Sequence, residues 1–282
     1  VSDPIQPSQL NADLHCHSVV SDGTLTPEAL AERASGNGVQ LWSLTDHDEV
    51  GGQQRARAAA HAQGMDYLTG TEISVTFADN TVHIVGLGFD ADDEQLKHGL
   101  ALTRGGRGAR AQEISRQLEE VGIHGAYQGA LKYVGNPELI SRTHFARYLV
   151  EIGACRDTSE VFRRFLTEGH PGFVPHRWAS LANAVRWIRE AGGMAVIAHP
   201  ARYRFTANEE FALFSEFKKH GGGAWKWSPA ATRRRSTGPI PTWRSNLAWP
   251  RRAAATFTAP MNRTPIWARC RRFRQHSHRS GR

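Results

Sequence analysis

Two histidines one residue apart, His15 and His17, lie in the run Asn11-Ala12-Asp13-Leu14-His15-Cys16-His17. The run reads as a short strand, and side chains at i and i+2 of a strand share a face. Both imidazoles then project to one side with Asp13, while Leu14 and Cys16 point into a core. Neutral imidazoles held side by side begin a transition-metal site. An HxH alone is weak evidence. Further candidates stand at later strand ends: Asp46, His47 and Asp48 in Thr45-Asp46-His47-Asp48, then Glu72, His83 and His199. Asp22, in Ser21-Asp22-Gly23, follows the first strand directly. Each residue singly has a structural explanation as a cap, a surface charge or a packed histidine. A coincidence of all of them on one rim is the harder reading. A His/Asp/Glu set without thiolates favours Mn, Zn or Fe, and more than one ion.

The elements that must position these residues alternate. A first strand over about 12–17 is followed by a helix opened by Thr26 as N-cap and Pro27 at its first position. A second strand covers 39–45, a second helix 52–63, a third strand 66–74 and a fourth 82–89. Repeated β-α-β units argue for a parallel sheet or barrel. Active residues of such folds gather at the C-terminal strand ends. Residues 94–179 are helical in pattern and read as an insertion, with helices over 111–121, 143–152 and 159–166. A helix over 180–191 and a buried strand over 194–198 return to the barrel and end at His199-Pro200.

The 282 residues suit one large α/β domain with an inserted subdomain. No apolar run reaches the length of a membrane span. The N-terminal residues lack a signal-peptide pattern, and three cysteines make no disulfide framework. A cytoplasmic location without membrane or protein partners is the expectation. The net charge of +8 conceals an asymmetry. Residues 221–282 hold thirteen Arg, one Lys and no acid, which is +14 and leaves −6 for residues 1–220.

The motifs His15-Cys16-His17, Ser21-Asp22-Gly23, Thr45-Asp46-His47-Asp48, Gly70-Thr71-Glu72, Val82-His83-Ile84-Val85-Gly86 and Ala198-His199-Pro200 together resemble those of PHP-domain (polymerase and histidinol phosphatase) phosphoesterases. Within that family, the Asp after the HxH and the helical insertion resemble the 3′,5′-nucleoside bisphosphate phosphatase branch. The resemblance implies a distorted (β/α)7 barrel formed by residues 10–93 and 180–223, with 94–179 inserted. It implies two or three divalent ions, Mn foremost, with Zn, Fe and Mg as alternatives. It also implies removal of the 3′-phosphate from substrates such as adenosine 3′,5′-bisphosphate, and in some relatives trimming of RNA from its 5′ end. Carried over, His15, His17 and Glu72 hold one ion. Glu72 bridges to a second held by His83, Asp22 and His47 hold a third, and His199 is a further ligand. Asp46 and His47 are the catalytic candidates. A second phosphate needs a basic clamp, because Arg grips phosphate with paired hydrogen bonds. Arg104, Arg107 and Arg110, three residues apart, and Arg142 with His144 are the candidates. Other readings are a different PHP phosphoesterase, such as a histidinol-phosphate phosphatase or exonuclease, or an impaired module that binds nucleic acid through its basic tail.

The family pattern breaks after Gly223. A closing segment like Gly-Ser-Asp-Phe-His, supplying an Asp and a His to the metal set, is expected beyond His199-Pro200. Residues 221–282 contain no Asp, Val or Tyr, yet five of the eight tryptophans. We read this as a shift of reading frame near Gly223. Ala224-Trp225-Lys226-Trp227-Ser228 requires GCN-UGG-AAR-UGG-UCN, and starting at the third base permits Val-Glu-Val-Val, a strand. The same offset across Ala255-Thr256-Phe257-Thr258-Ala259 permits Asp-Phe-His-Gly, the missing motif. Residues 224–282 are therefore expected to be an aberrant, disordered basic tail that costs the barrel its last strands. Its Trp and Arg content would bind RNA only nonspecifically.

Overall fold

A computed structural model describes residues 10–225. The expectations placed on 226–282 lie outside the described residues. Among the described residues, Ala224–Trp225 forms a short strand, β8, where a disordered tail was expected to begin.

Three short parallel strands come first: β1 (Ala12–Asp13), β2 (Leu41–Trp42) and β3 (Asp66–Tyr67), with α1 (Pro27–Gly36) and α2 (Gln53–Ala62) as crossovers. The Thr26 hydroxyl caps α1 by accepting from the Ala29 N–H, as expected. The anticipated first strand is regular only at Ala12–Asp13, but pairing continues along it. Ser43 N donates to Asp13 O at 3.0 Å and Thr45 N to Cys16 O at 2.9 Å. Leu14 and Cys16 do face inward, Leu14 onto Val85 and Val196 and Cys16 onto the α1/α2 layer.

The third expected strand is two. After β3 the chain re-enters as β4 (Gly70–Phe77), which pairs antiparallel with β5 (Asn80–Leu87). This pair departs from the parallel pattern of β1–β3 for a local reason. Ala78 and Asp79 take positive φ (45° and 57°) in a two-residue turn, which reverses the chain without a crossover helix. Gly70 permits the re-entry, since a Cβ there would lie 2.2 Å from Ser43 Oγ. The second sheet is completed by β6 (Ala179–Ser180), β7 (Met194–Ile197) and β8, in the order β6-β4-β5-β7-β8. A parallel bridge between His47 and Glu72 joins the two sheets, with Glu72 N donating to Asp46 O and Asp48 N to Glu72 O.

Helices α3 (Glu94–Arg104), α8 (Leu181–Glu190) and α9 (Ala207–Lys219) cover the second sheet. Leu96, Leu100, Val185, Ile188, Leu213 and Phe217 are buried there against Ile73, Ile84 and Ile197. Between α3 and β6 lie α4 (Arg107–Glu120), α5 (Ala126–Leu131), α6 (Arg142–Glu151) and α7 (Thr158–Val161), the last continued by a π-helical turn at Phe162–Leu166. These four helices share a separate core of Ile114, Leu118, Phe145, Leu149, Val161 and Leu166. Within the region 94–179, α3 thus packs on the main core and the rest on its own.

Candidate metal centre

Glu72 is the middle of the site. It is 1% exposed, and five imidazoles reach its carboxylate. Oε2 lies 3.0 Å from His15 Nε2, 3.0 Å from His17 Nε2 and 3.5 Å from His47 Nδ1. Oε1 lies 3.1 Å from His199 Nε2 and 3.7 Å from His83 Nδ1. The i, i+2 spacing of His15 and His17 aims both rings at one oxygen. His83 comes from β5, the neighbour of β4, and His199 from the end of β7, at a strained φ of 29°.

Three groups of ligand atoms lie within 4.8 Å of one another: His15/His17/Glu72, His17/Asp22/His47 and Glu72/His83/His199. All seven sequence-predicted metal residues are brought together, with His199 beside His83 and Glu72. The donor set fits divalent cations. His83 Nδ1 and His199 Nε2 face each other at 3.3 Å, so one proton at most serves both. The buried Nδ1 atoms of His17 and His199 have no hydrogen-bond partner in the structure. Imidazole and carboxylate oxygen without thiolate suits Mn, Zn or Fe.

Electrostatics agree with a site built around shared charge. Burial opposes ionisation of Glu72, but His15, His47 and His83 hold its carboxyl well below the usual range. Burial also opposes the charge on His17, yet its hydrogen bond to Glu72 raises it to about 9. His83, buried among other imidazoles, falls to about 3. Burial would raise Asp22, but His47 and His17 bring it below its ordinary value.

Asp46 is differently placed from the catalytic role expected of it. Its carboxylate is buried and accepts from Ser18 N (2.7 Å), Ser18 Oγ (2.7 Å) and Ser21 Oγ (2.6 Å). These bonds tie down the loop after His17, while burial raises its pKa. His47 remains among the ligand groups.

The arginines divide. Arg104 donates to Asp48 O (2.7 Å) and pairs with Glu49 (3.4 Å) and Glu138 (3.6 Å). Arg107 is buried in an ion pair with Asp48. Both therefore serve the fold first. Arg110 and Arg142 have no carboxylate partner among the described residues and donate only to the backbone oxygens of Val174 and Leu166. Burial, then Arg142 and Arg107 nearby, lower Arg110 to about 9, and burial with Arg107 lowers Arg142. His144 is fully buried. Its Nδ1 accepts from Ser141 N (3.0 Å), and burial lowers it to about 4 against the opposing effects of Asp22 and the Ser21 backbone. The sequence reading missed His176 and Trp178. Trp178 lies 4.6 Å from the Arg107 guanidinium and 5.5 Å from that of Arg110. His176 packs on the same ring at 4.2 Å. No pattern flagged them, because they meet these arginines across sequence rather than at a motif spacing.

A mixed α/β barrel that gathers imidazoles from several strands around one buried carboxylate defines a candidate metal-dependent hydrolytic centre. The chain belongs to the PHP-domain family, whose model matches residues 13–189, and it is a metal-dependent phosphoesterase of that family. It is 50% identical over 212 residues to a 3′,5′-nucleoside bisphosphate phosphatase of Chromobacterium violaceum, covering 75% of this chain and 74% of that protein. It is 42% identical over 210 residues to a 5′-3′ exoribonuclease of Haemophilus influenzae, covering 74% and 76%. The solved structure of an amidohydrolase from Chromobacterium violaceum, with bound sulfate and no metal, superposes with a TM-score of 0.75 at 49% identity, covering 76% of each chain. Among the described residues no helix is long and apolar enough to cross a membrane.

Proposed function

We propose that this chain removes the 3′-phosphate from nucleoside 3′,5′-bisphosphates such as adenosine 3′,5′-bisphosphate. One observation carries the reading: two anion-receiving groups are linked through the Arg107–Asp48 pair. The His/Glu cluster is one. The second is the Arg110/Arg142 pair, which lacks carboxylate partners among the described residues and lies beside Arg107. Arg107 pairs with Asp48, the neighbour of the ligand His47. A substrate with two phosphates fits two such groups, and the similarity to a nucleoside bisphosphate phosphatase points the same way.

His15, His17, Asp22, His47, Glu72, His83 and His199 would hold two or three divalent ions, with Mn the first choice. Bound ions supply an activated water and offset charge on the phosphoryl oxygens. The protein's own part is positional. Glu72 holds imidazoles from in or just after four strands in one place. Arg110 and Arg142 orient the distal phosphate through paired N–H donors. His144, two residues beyond Arg142 at the start of α6, is the remaining candidate for contact with the substrate.

Trimming of short RNA from its 5′ end is a second reading, favoured by the similarity to an exoribonuclease. We also read residues 224–282 as written out of frame. In support, both relatives are matched over only about three quarters of their own length. The test is phosphate release, with added Mn, from adenosine 3′,5′-bisphosphate and from adenosine 3′-monophosphate. It is run on the written chain and on the chain with its frame restored. A lower KM for the bisphosphate is the expected result. Equal handling of both nucleotides by an active chain would refute the two-phosphate reading.

A further inference from the structure

The loop that carries Asp22 is gripped from two sides. From the barrel, Asp46 binds Ser18 and Ser21. Within the loop, Ser21 N and Gly23 N both donate to Ser18 O (3.1 and 2.8 Å). The turn folds so closely over His17 that a Cβ at Gly23 would stand 2.0 Å from His17 O. The Gly23 N–H anchors one side of the Asp22–Gly23 peptide, but none of these contacts reaches the Asp22 carbonyl oxygen.

That oxygen is held by the insertion. Arg147, on α6, donates through Nη2 to Asp22 O and through Nη1 to Gly23 O (3.2 Å). Arg147 has no carboxylate partner among the described residues, so its fork is spent on these two carbonyls. One helical turn earlier, Thr143 is a side-chain hydrogen-bond partner of the Asp22 carboxyl. A third approach comes from Gly135, where a Cβ would lie 2.5 Å from Val19 O. α6 is a firm base for this grip, because Phe145, Ala146 and Leu149 are fully buried in the insertion's own core. A guanidinium offers planar paired donors at fixed spacing, which suits two successive carbonyl oxygens.

We propose that Arg147 is a positioning residue that sets Asp22 into the His17/Asp22/His47 group, so that this one ion site depends on the helical insertion. The other two groups, His15/His17/Glu72 and Glu72/His83/His199, come entirely from the barrel. The proposal rests on the reading of Asp22 as a ligand. It also gives the insertion a second role. Arg142 and His144, the candidate substrate contacts, share the first turns of α6 with Thr143 and Arg147. One helix would thus seat the distal phosphate and complete the outer ion site.

The test is Mn binding to the full chain, read as ions per chain and as stepwise affinity by equilibrium dialysis with elemental analysis. Asp22→Asn, Arg147→Met, Arg147→Lys and Thr143→Val are compared, with circular dichroism as a check of folding. Asp22→Asn and Arg147→Met are both expected to weaken the same single step, about 10- to 100-fold, and to leave the remaining ions bound. Arg147→Lys should recover part of that step, and Thr143→Val should weaken it to a smaller degree. If Asp22→Asn loses a step that Arg147→Met and Thr143→Val both keep, the positioning role is wrong and the ligand stands. If Asp22→Asn binds as the parent does, Asp22 is no ligand and the inference falls with it. If Arg147→Met loses all ions or its fold while Thr143→Val is unchanged, Arg147 is a general structural residue and the proposal is overturned.

Discussion

Asp48 and Arg107 form a buried ion pair that locks the rim of the candidate metal centre to α4. Asp48 is 0% exposed and sits at a φ of 49°, one residue beyond His47. Its oxygens also accept from Ser74 N (2.7 Å) and Ser74 Oγ (2.9 Å), and its N–H donates to Glu72 O. Arg107 lies over Trp178. Removing one partner of such a pair strands a buried charge, which typically costs about 3–5 kcal/mol. Arg107→Met should lower unfolding free energy by about that amount in urea titration. A loss below about 1 kcal/mol would mean that Asp48 is rescued by Ser74 and the backbone alone.

Glu72 belongs to two of the three ligand groups. Glu72→Gln keeps the shape and removes the charge that five imidazoles share. Elemental analysis should show loss of ions from both groups, and phosphatase activity should disappear with them. Retention of the parent's ion content would show that the histidines alone suffice.

Divalent ions should stabilise the fold by mass action. At a hundredfold excess over Kd, one ion contributes about 2.7 kcal/mol, which for a domain of this size is roughly 5–10 °C in Tm. Thermal melting in EDTA and then in excess Mn reads this directly. An unchanged Tm would contradict a metal centre at this rim.

Arg110 and Arg142 carry the clearest prediction about specificity. A hydrogen bond to a charged group is worth about 1.5–3 kcal/mol, so Arg110→Met or Arg142→Met should raise KM for the bisphosphate roughly 10- to 100-fold. KM for adenosine 3′-monophosphate should barely move. Parallel losses on both nucleotides would place these arginines in the scaffold rather than the clamp.

The frame-restored chain should be the more stable and more active of the two. In the described residues β8 adds only two residues to the edge of β7, and a longer strand there would cover an edge that is otherwise open. Activity confined to the restored chain is the expected result. Full activity in the written chain would make the frame reading untenable.

Residue types at strand ends announce themselves locally. His15 and His17 share a face because strand period is two, and Glu72, His83 and His199 lie in or just after runs that read as strands. The N-cap at Thr26 and the burial of Leu14 follow from the same short-range rules. For that reason the metal set and the β-α alternation were legible in the chain alone, as was the family.

Only the tertiary structure decided the rest. The antiparallel β4–β5 hairpin turned on two positive-φ residues, Ala78 and Asp79, that carry no glycine signal. The evenly spaced Arg104, Arg107 and Arg110 look equivalent in sequence, yet carboxylates from Asp48, Glu49 and Glu138 claim the first two and leave the third. Asp46 is a catalytic candidate in sequence, and only the structure shows Ser18 and Ser21 donating to its oxygens. Arg147 meets the carbonyl of Asp22 across 125 residues of chain. Hydrogen bonds between distant segments depend on how packed helices bring them together, and no local periodicity records that distance.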